Sequence, residues 1–233
     1  MIEGLDEKYT NTGLYIIAFF DILGTKEKVK DNLTETLEQL WLINHFIRKE
    51  IYNQTDIIFR TFSDNYFIAI ETSRDNIAVN FNRIANIIGN LHSRCLRMYN
   101  VLLRGAITYG EMHIDKYSNL GDALIKGYQM EQKDAIYPRI LVDKALINTD
   151  KVNYRNFKEP IFEDSDSQIC LNTLMFFPEN MVECVNKHLI CNLTTQLEKI
   201  ENKDNKIKNK IKWICDYANE YYLQNYGLSL LDC

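Results

Sequence analysis

The hydrophobic pattern of this 233-residue chain predicts an α+β fold: one sheet with helices packed on a face of it. Three features carry that expectation. Leu14–Phe20 is an unbroken apolar run suited to a strand covered on both faces. Two long stretches place apolar residues at three- and four-residue steps, the spacing of an amphipathic helix. Short runs rich in β-branched and aromatic residues lie between and after them. With 46% hydrophobic and 25% charged residues, the composition excludes disorder, collagen-like repeats and coiled-coil rods. A chain of this length buries roughly 70% of its unfolded surface, so its core needs neither disulfides nor a structural metal.

The first strand ends at Asp21-Ile22-Leu23-Gly24, where polar residues begin. From Asp31 to Tyr52, Leu33, Leu37, Leu40, Trp41, Ile43, Phe46 and Ile47 mark a helix. Ile57–Phe62 and Tyr66–Ile70 are separated only by Ser63-Asp64-Asn65, which reads as a hairpin with Asp64 at its tip. A second helix is expected over 77–98, then a strand over 101–109, with Gly110–Asp115 as a return strand. A helix from Leu120-Gly121 to Lys133 and a short strand at Arg139–Asp143 follow. Residues 150–168 are polar and read as a surface excursion before a strand at Ile169–Phe177. Residues 179–225 read as helical, with a turn around Asn202–Asn205, and the Lys/Glu/Asn run from Lys199 to Lys212 as a solvated face. The expected division is a catalytic domain over 1–178 and a helical C-terminal extension over 179–233 packed on the same domain.

Six cysteines, at 95, 170, 184, 191, 215 and 233, form no CxxC pair and read as reduced thiols. His45, His92, His113 and His188 have no second ligand at zinc spacing, and Ser63 has neither a histidine base nor a nucleophile-elbow spelling. A net charge of -5 offers no overall positive field for nucleic acid or an anionic membrane. No apolar run approaches the ~20 residues that span a bilayer. The polar N-terminus MIEGLDEKYTNTG lacks signal-peptide character, so a cytoplasmic location is expected.

Chemistry concentrates at the strand ends. Asp21 and Asp64, each following a strand, make a hard oxygen site for Mg²⁺ or Mn²⁺, ions that need only one or two protein carboxylates when substrate phosphates supply the remaining ligands. The turn Leu23-Gly24-Thr25 offers backbone N–H groups to anionic phosphate oxygens. Taken singly, each Asp reads more readily as a turn residue or helix cap than as a ligand.

In sequence order, residues 14–143 resemble the class III nucleotidyl cyclases. Phe20-Asp21-Ile22-Leu23-Gly24-Thr25 is similar to that family's FxDIxGFT segment, and Phe62-Ser63-Asp64-Asn65 to its hairpin. Leu103-Arg104-Gly105-Ala106-Ile107-Thr108-Tyr109-Gly110 is similar to its VRxGIHxG strand, and Gly121-Asp122-Ala123-Leu124 to Met130-Glu131 to the start of its GxxVNxAxRxE helix. The spellings FSDN, RGAITYG, GDALIKGYQMEQ and YPRI look closest to the pyrimidine cyclases of bacterial Pycsar antiphage systems. The resemblance implies a ferredoxin-like βαββαβ palm, a homodimer with interfacial active sites, and two divalent ions, Mn²⁺ or Mg²⁺, held by Asp21, the Ile22 carbonyl and Asp64. It also implies a separate effector protein switched on by the cyclic nucleotide.

Where many purine cyclases of that family carry a transition-state Asn and Arg, this chain has Ile125 and Gln129, neither of which supplies charge. Arg104, Arg139 and Lys126 are the available cations. Arg60 stands where adenylyl cyclases carry a base-reading Lys, with Ser118 at the acidic partner position. A guanidinium suits the carbonyl acceptors of uracil, though Arg60 reads equally as a structural donor on the hairpin. Tyr128 is a candidate to approach the nucleotide, and the remaining tyrosines read as packing residues. The expected activity is conversion of UTP to cyclic UMP and pyrophosphate, with CTP or a purine nucleotide as alternative substrates. A catalytically silent nucleotide sensor or dimerisation module is the alternative that Ile125 and Gln129 leave open; a diguanylate cyclase or polymerase-like transferase lacks its GGDEF-like hairpin and basic surface.

Overall fold

A computed structural model describes residues 12–99, 101–148, 152–176, 195, 205–227 and 229. The chain runs β1 (Thr12–Ile22), α1 (Thr25–Asp31), α2 (Leu33–Glu50), β2 (Ile57–Phe62), β3 (Asn65–Thr72), α3 (Ile77–Arg94) and β4 (Leu103–Ile114). It continues through β5 (Asn119–Gly121), α4 (Asp122–Gln129), β6 (Ile140–Val142), β7 (Ile161–Glu163), β8 (Ile169–Leu171) and α5 (Asn205–Tyr226). The sheet order is β2-β3-β1-β4-β6-β8-β7, with β5 paired to β4. Its first four strands pair antiparallel in the order of a ferredoxin-like βαββαβ unit, and β6 joins β4 in parallel.

Both faces of this sheet carry helices, where the hydrophobic pattern alone suggested one. Alternation along β1 explains it. Ile16, Ala18, Phe20 and Ile22 pack with Ile43 and Ile47 of α2 and with Phe81, Ile84, Ile88 and Leu91 of α3. Tyr15 and Ile17 point the other way and pack with Phe67, Ala69, Met112 and Ala123 of α4. A strand apolar on both sides must be covered on both.

Several local expectations shift. The helix expected from 31 to 52 is found as α2, and a further short helix, α1, precedes it; Asn32 separates the two in extended dihedrals, and its side chain accepts from the Glu35 N–H, capping α2. Gly110 does not turn the chain: β4 continues to Ile114, and the return strand is β5. The strand expected at Ile169–Phe177 stops at Leu171 and gives way to a 3₁₀ turn at Thr173–Phe176. The polar stretch 150–168 is bound into the molecule: Phe157, Phe162 and Asp164 are buried. The reason lies in α5, whose Trp213, Tyr217, Tyr221 and Tyr222 pack on Phe157, Phe162 and Leu174. Helix expected over 179–204 lies outside the described residues apart from Thr195, as do His188, Cys184, Cys191 and Cys233. Cys95, Cys170 and Cys215 are free thiols.

Candidate active site at the ends of β1 and the β2–β3 hairpin

Strand register brings the predicted carboxylates together. Asp21, on the next-to-last residue of β1, lies opposite Asn65 of β3 on one side and Arg104 of β4 on the other. Asp64 therefore sits in the turn beside it. Ser63 opens that two-residue turn at φ 58°, a conformation that hairpin loops of this length usually assign to glycine.

Arg104 binds Asp21 through both arms, Nε to Oδ1 at 3.0 Å and Nη2 to Oδ2 at 3.1 Å. The same guanidinium reaches Glu131 Oε1 at 2.7 Å. Glu131 is fully buried on the π turn Met130–Asp134 that follows α4. Burial pulls the Arg104 pKa down, but hydrogen bonding to Asp21 and the charges of Asp21, Glu131 and Asp64 more than offset it, so the group is held above its ordinary value. Burial pushes Glu131 up to about 7, aided by the negative charge of Asp21 and opposed by Arg104. Three carboxyl groups thus share one guanidinium, and when all are ionised the cluster carries two negative charges in excess. That donor set suits a divalent cation: Asp21, Asp64 and the Ile22 carbonyl are the groups that would hold it.

The turn after β1 is built from its own polar groups. Gly24 takes φ 82°, which the chain reversal into α1 requires. Thr25 Oγ1 donates to the Ile22 carbonyl at 2.8 Å, leaving that oxygen a second lone pair. The Leu23 N–H donates to the Leu102 carbonyl at 2.8 Å. It is therefore not available to a phosphate as expected, and only the Gly24 and Thr25 amides remain of that predicted cradle.

Beside Asp21, on the same side of β1, Phe19 forms the floor of an open cleft of about 540 Å³ lined also by Leu124, Ile125, Tyr128, Gln129 and Lys133. Tyr128 packs edge-on against Phe19 at 6.0 Å and is 53% exposed. Ile125 and Gln129 form the wall of this cleft. Arg60 lies on the same sheet face, level with Phe67 and Phe19, and its guanidinium donates to the Asp115 carbonyl at the tip of the β4–β5 hairpin.

The three cations considered as charge donors have different fates. Arg139 is buried and held by Asp164 at 2.5 Å and by Asp166, which removes it from the site. Lys126 binds Asp143 at 2.6 Å. Arg104 alone touches the carboxylate cluster. Two residues of the site, Glu131 and Lys133, have no role assigned from the sequence: Glu131 stands only within the family-like helix segment and Lys133 only at the end of the expected helix, and the π turn at Met130–Asp134 that buries Glu131 leaves no local signal.

No family model matches this chain, and no curated protein matches it. Among solved structures it is similar to an adenylate/guanylate cyclase/hydrolase from Silicibacter pomeroyi (20% identity, TM-score 0.48, covering 68% of this chain and 94% of that one). It is similar also to the adenylyl cyclase CyaB from P. aeruginosa (14%, TM-score 0.48, covering 69% and 93%). A bacterial light-regulated adenylyl cyclase aligns at 11% identity and TM-score 0.46 over 58% of this chain, which spans only 44% of that protein. These are likenesses of chain path, and the chemistry below rests on the residues of this chain.

Proposed function

We propose that this chain is a nucleotidyl cyclase that converts a pyrimidine nucleoside triphosphate, UTP first, to its 3',5'-cyclic monophosphate and pyrophosphate. The observation that carries the reading is the placement of Asp21 and Asp64 on adjacent strand ends, with Arg104 as their shared counter-charge, beside an open cleft of about 540 Å³. Among the described residues no group of three or more His, Cys, Asp or Glu side chains is arranged to hold a metal ion by itself. Asp21, Asp64 and the Ile22 carbonyl would therefore hold Mn²⁺ or Mg²⁺ jointly with the substrate's phosphates. Such an ion lowers the pKa of the ribose 3'-hydroxyl and neutralises phosphate charge.

The 3'-oxygen attacks the α-phosphorus, the new P–O bond closes the ring, and the bond to the β-phosphate oxygen breaks to release pyrophosphate. Gly24 and Thr25 orient the triphosphate through their amides. Arg104 holds Asp21 in its rotamer until an ion competes for it. Tyr128 and Phe19 offer the cleft an aromatic surface, and Lys133, which lines the cleft, would supply the charge that Ile125 and Gln129 lack. Support for a pyrimidine is the Arg60 guanidinium, which already binds a carbonyl oxygen, the acceptor that uracil presents at O2 and O4. The exposed apolar residues Leu120, Ile125 and Tyr128 support a homodimer closed over this face. No helix among the described residues is long and apolar enough to cross a membrane, in keeping with a cytoplasmic enzyme. A separate cyclic-nucleotide-activated effector in antiphage defence, and the division at residue 178, belong to the same reading.

Incubation with Mn²⁺ and each of the four ribonucleoside triphosphates, followed by mass spectrometry, tests it. A cyclic pyrimidine monophosphate supports it, whereas a purine product keeps the reaction but removes Arg60 as a pyrimidine reader. Binding without pyrophosphate release, in Mg²⁺ as well, favours the second reading, a silent nucleotide sensor, for which Ile125 and Gln129 in the cleft wall are the motivating observation.

A further inference from the structure

The opposite side of the sheet holds a second cavity that the proposed chemistry does not use. It measures about 190 Å³ and lies between α2 and the end of α3. Its apolar lining is Leu42, Ile43, Phe46, Leu91 and Val101, of which all but Leu42 belong to the core on the Ile16–Ile22 face of β1. Its polar lining is one-signed. His45, Lys49 and Arg94 all line it, and no carboxylate does.

These cations are available. Among the described residues neither Lys49 nor Arg94 is paired with a carboxylate; Arg94 instead lies over the Phe46 ring at 4.7 Å. A third cation, Lys28 of α1, donates to Gln39 Oε1 of the lining at 3.1 Å, and burial lowers its pKa, with Glu35 opposing. Like charges gathered around an apolar pocket repel one another and gain by binding an anion. The pocket is smaller than the roughly 300–1,000 Å³ of drug-sized sites, so its occupant is small. The apolar floor rewards a hydrocarbon body, and the exposed Trp41 ring stacked on His45 at 5.2 Å extends that surface to the mouth.

We propose that this cavity binds a small aromatic carboxylate, its ring between Phe46 and Leu91 and its carboxylate at Arg94 and Lys49. Fixed hydrophilic anions such as inorganic phosphate satisfy the cations but not the floor. Neutral aromatics satisfy the floor but leave the cations unpaired.

Calorimetric titration of the full chain with 2-naphthoate, 2-naphthamide and inorganic phosphate tests the proposal, with amide NMR shifts to locate the site. The expected result is saturable binding of one 2-naphthoate per chain, with shifts confined to residues 39–49 and 91–101, and at least tenfold weaker binding of the amide and of phosphate. Arg94→Gln should weaken naphthoate binding at least tenfold. Because Arg94 also packs on Phe46, the exposed Lys49→Gln serves as the second variant and should weaken it at least threefold with an unchanged circular dichroism spectrum. Equal binding of acid and amide, phosphate binding as tight as naphthoate, shifts at Phe19 and Tyr128, or no binding at millimolar naphthoate would each overturn the proposal. None of these outcomes depends on whether a nucleotide is turned over.

Discussion

Arg104 holds both carboxylate oxygens of Asp21 across the β1–β4 pair, at 3.0 and 3.1 Å, and the Nη2 that binds Oδ2 also lies 2.7 Å from Oε1 of the buried Glu131. The carboxylate proposed to bind a metal is thus kept in place by a guanidinium, and the cation that partly offsets the cluster's charge belongs to a neighbouring strand.

Replacing Arg104 by Gln removes the guanidinium that Asp21, Glu131 and Asp64 share. Breaking a buried pair from one side costs about 3–5 kcal/mol, because the partner charge is left uncompensated. The variant is expected to lose about 3 kcal/mol of stability, read from urea denaturation at pH 7.5, and to regain part of that loss when Mn²⁺ is added. A loss below about 1 kcal/mol would show that Asp21 and Glu131 are solvated well enough to do without it.

Asp64→Asn separates chemistry from folding. Asp64 is a half-buried turn residue, and substitutions at such positions stay within roughly 0.5 kcal/mol of the parent. Turnover is expected to fall at least a hundredfold, and Mn²⁺ affinity, measured by calorimetry, at least tenfold, with the melting temperature little changed. Full activity in this variant would take Asp64 out of the metal site.

Two buried groups set opposing pH dependences. Glu131, raised to about 7, is protonated more readily in the folded chain than in the unfolded one, so its contribution falls as pH rises from about 4.5 to about 7. His92, which burial lowers to about 4, is protonated more readily in the unfolded chain, so its contribution falls as pH drops from about 6.5 to about 4. The two oppose each other between about 4.5 and 6.5. Glu131→Gln is expected to unmask the His92 slope, giving a denaturation midpoint that rises with pH across that interval more steeply than in the parent. Parallel profiles would mean that Glu131 stays ionised throughout.

Asp164 is a joint between distant segments. It accepts from Arg139 at 2.5 Å and from the Trp213 indole at 2.8 Å, and faces Arg155 at 3.5 Å. Asp164→Ala is expected to cost about 3–5 kcal/mol and to alter the near-ultraviolet dichroism of Trp213. Retention of that signal at parent stability would show that a water takes over the carboxylate's role.

The strands and helices of residues 14–143 were legible because their apolar periodicity is local, and Asp21 and Asp64 because each interrupts an apolar run at its end. What escaped depended on partners far along the chain. Glu131 is buried only because Arg104 waits on β4, and Asp164 only because arginines and a tryptophan 9 to 49 residues away converge on it. Polar composition at 150–168 therefore signalled surface where the folded chain has core. Gly110 was misleading for a different reason: its backbone stays extended, and the close approach of Ala123 N, 3.1 Å from where a Cβ would lie, calls for a small residue rather than a bend.

The sheet also has a seam. Thr12–Ile22 is zipped to β4 along its whole length, yet within the sheet β6, β8 and β7 join β4 through only three parallel partners, Gly105–Ile140, Ala106–Leu141 and Ile107–Val142. Parallel pairing is slightly weaker per residue, and three residues give little length over which to share strain. The segment carrying β6, β8, β7 and α5 is therefore set to part from the rest as a cooperative unit. Native-state hydrogen exchange should show its amides opening together, below the free energy of global unfolding, while β1 and β3 stay closed.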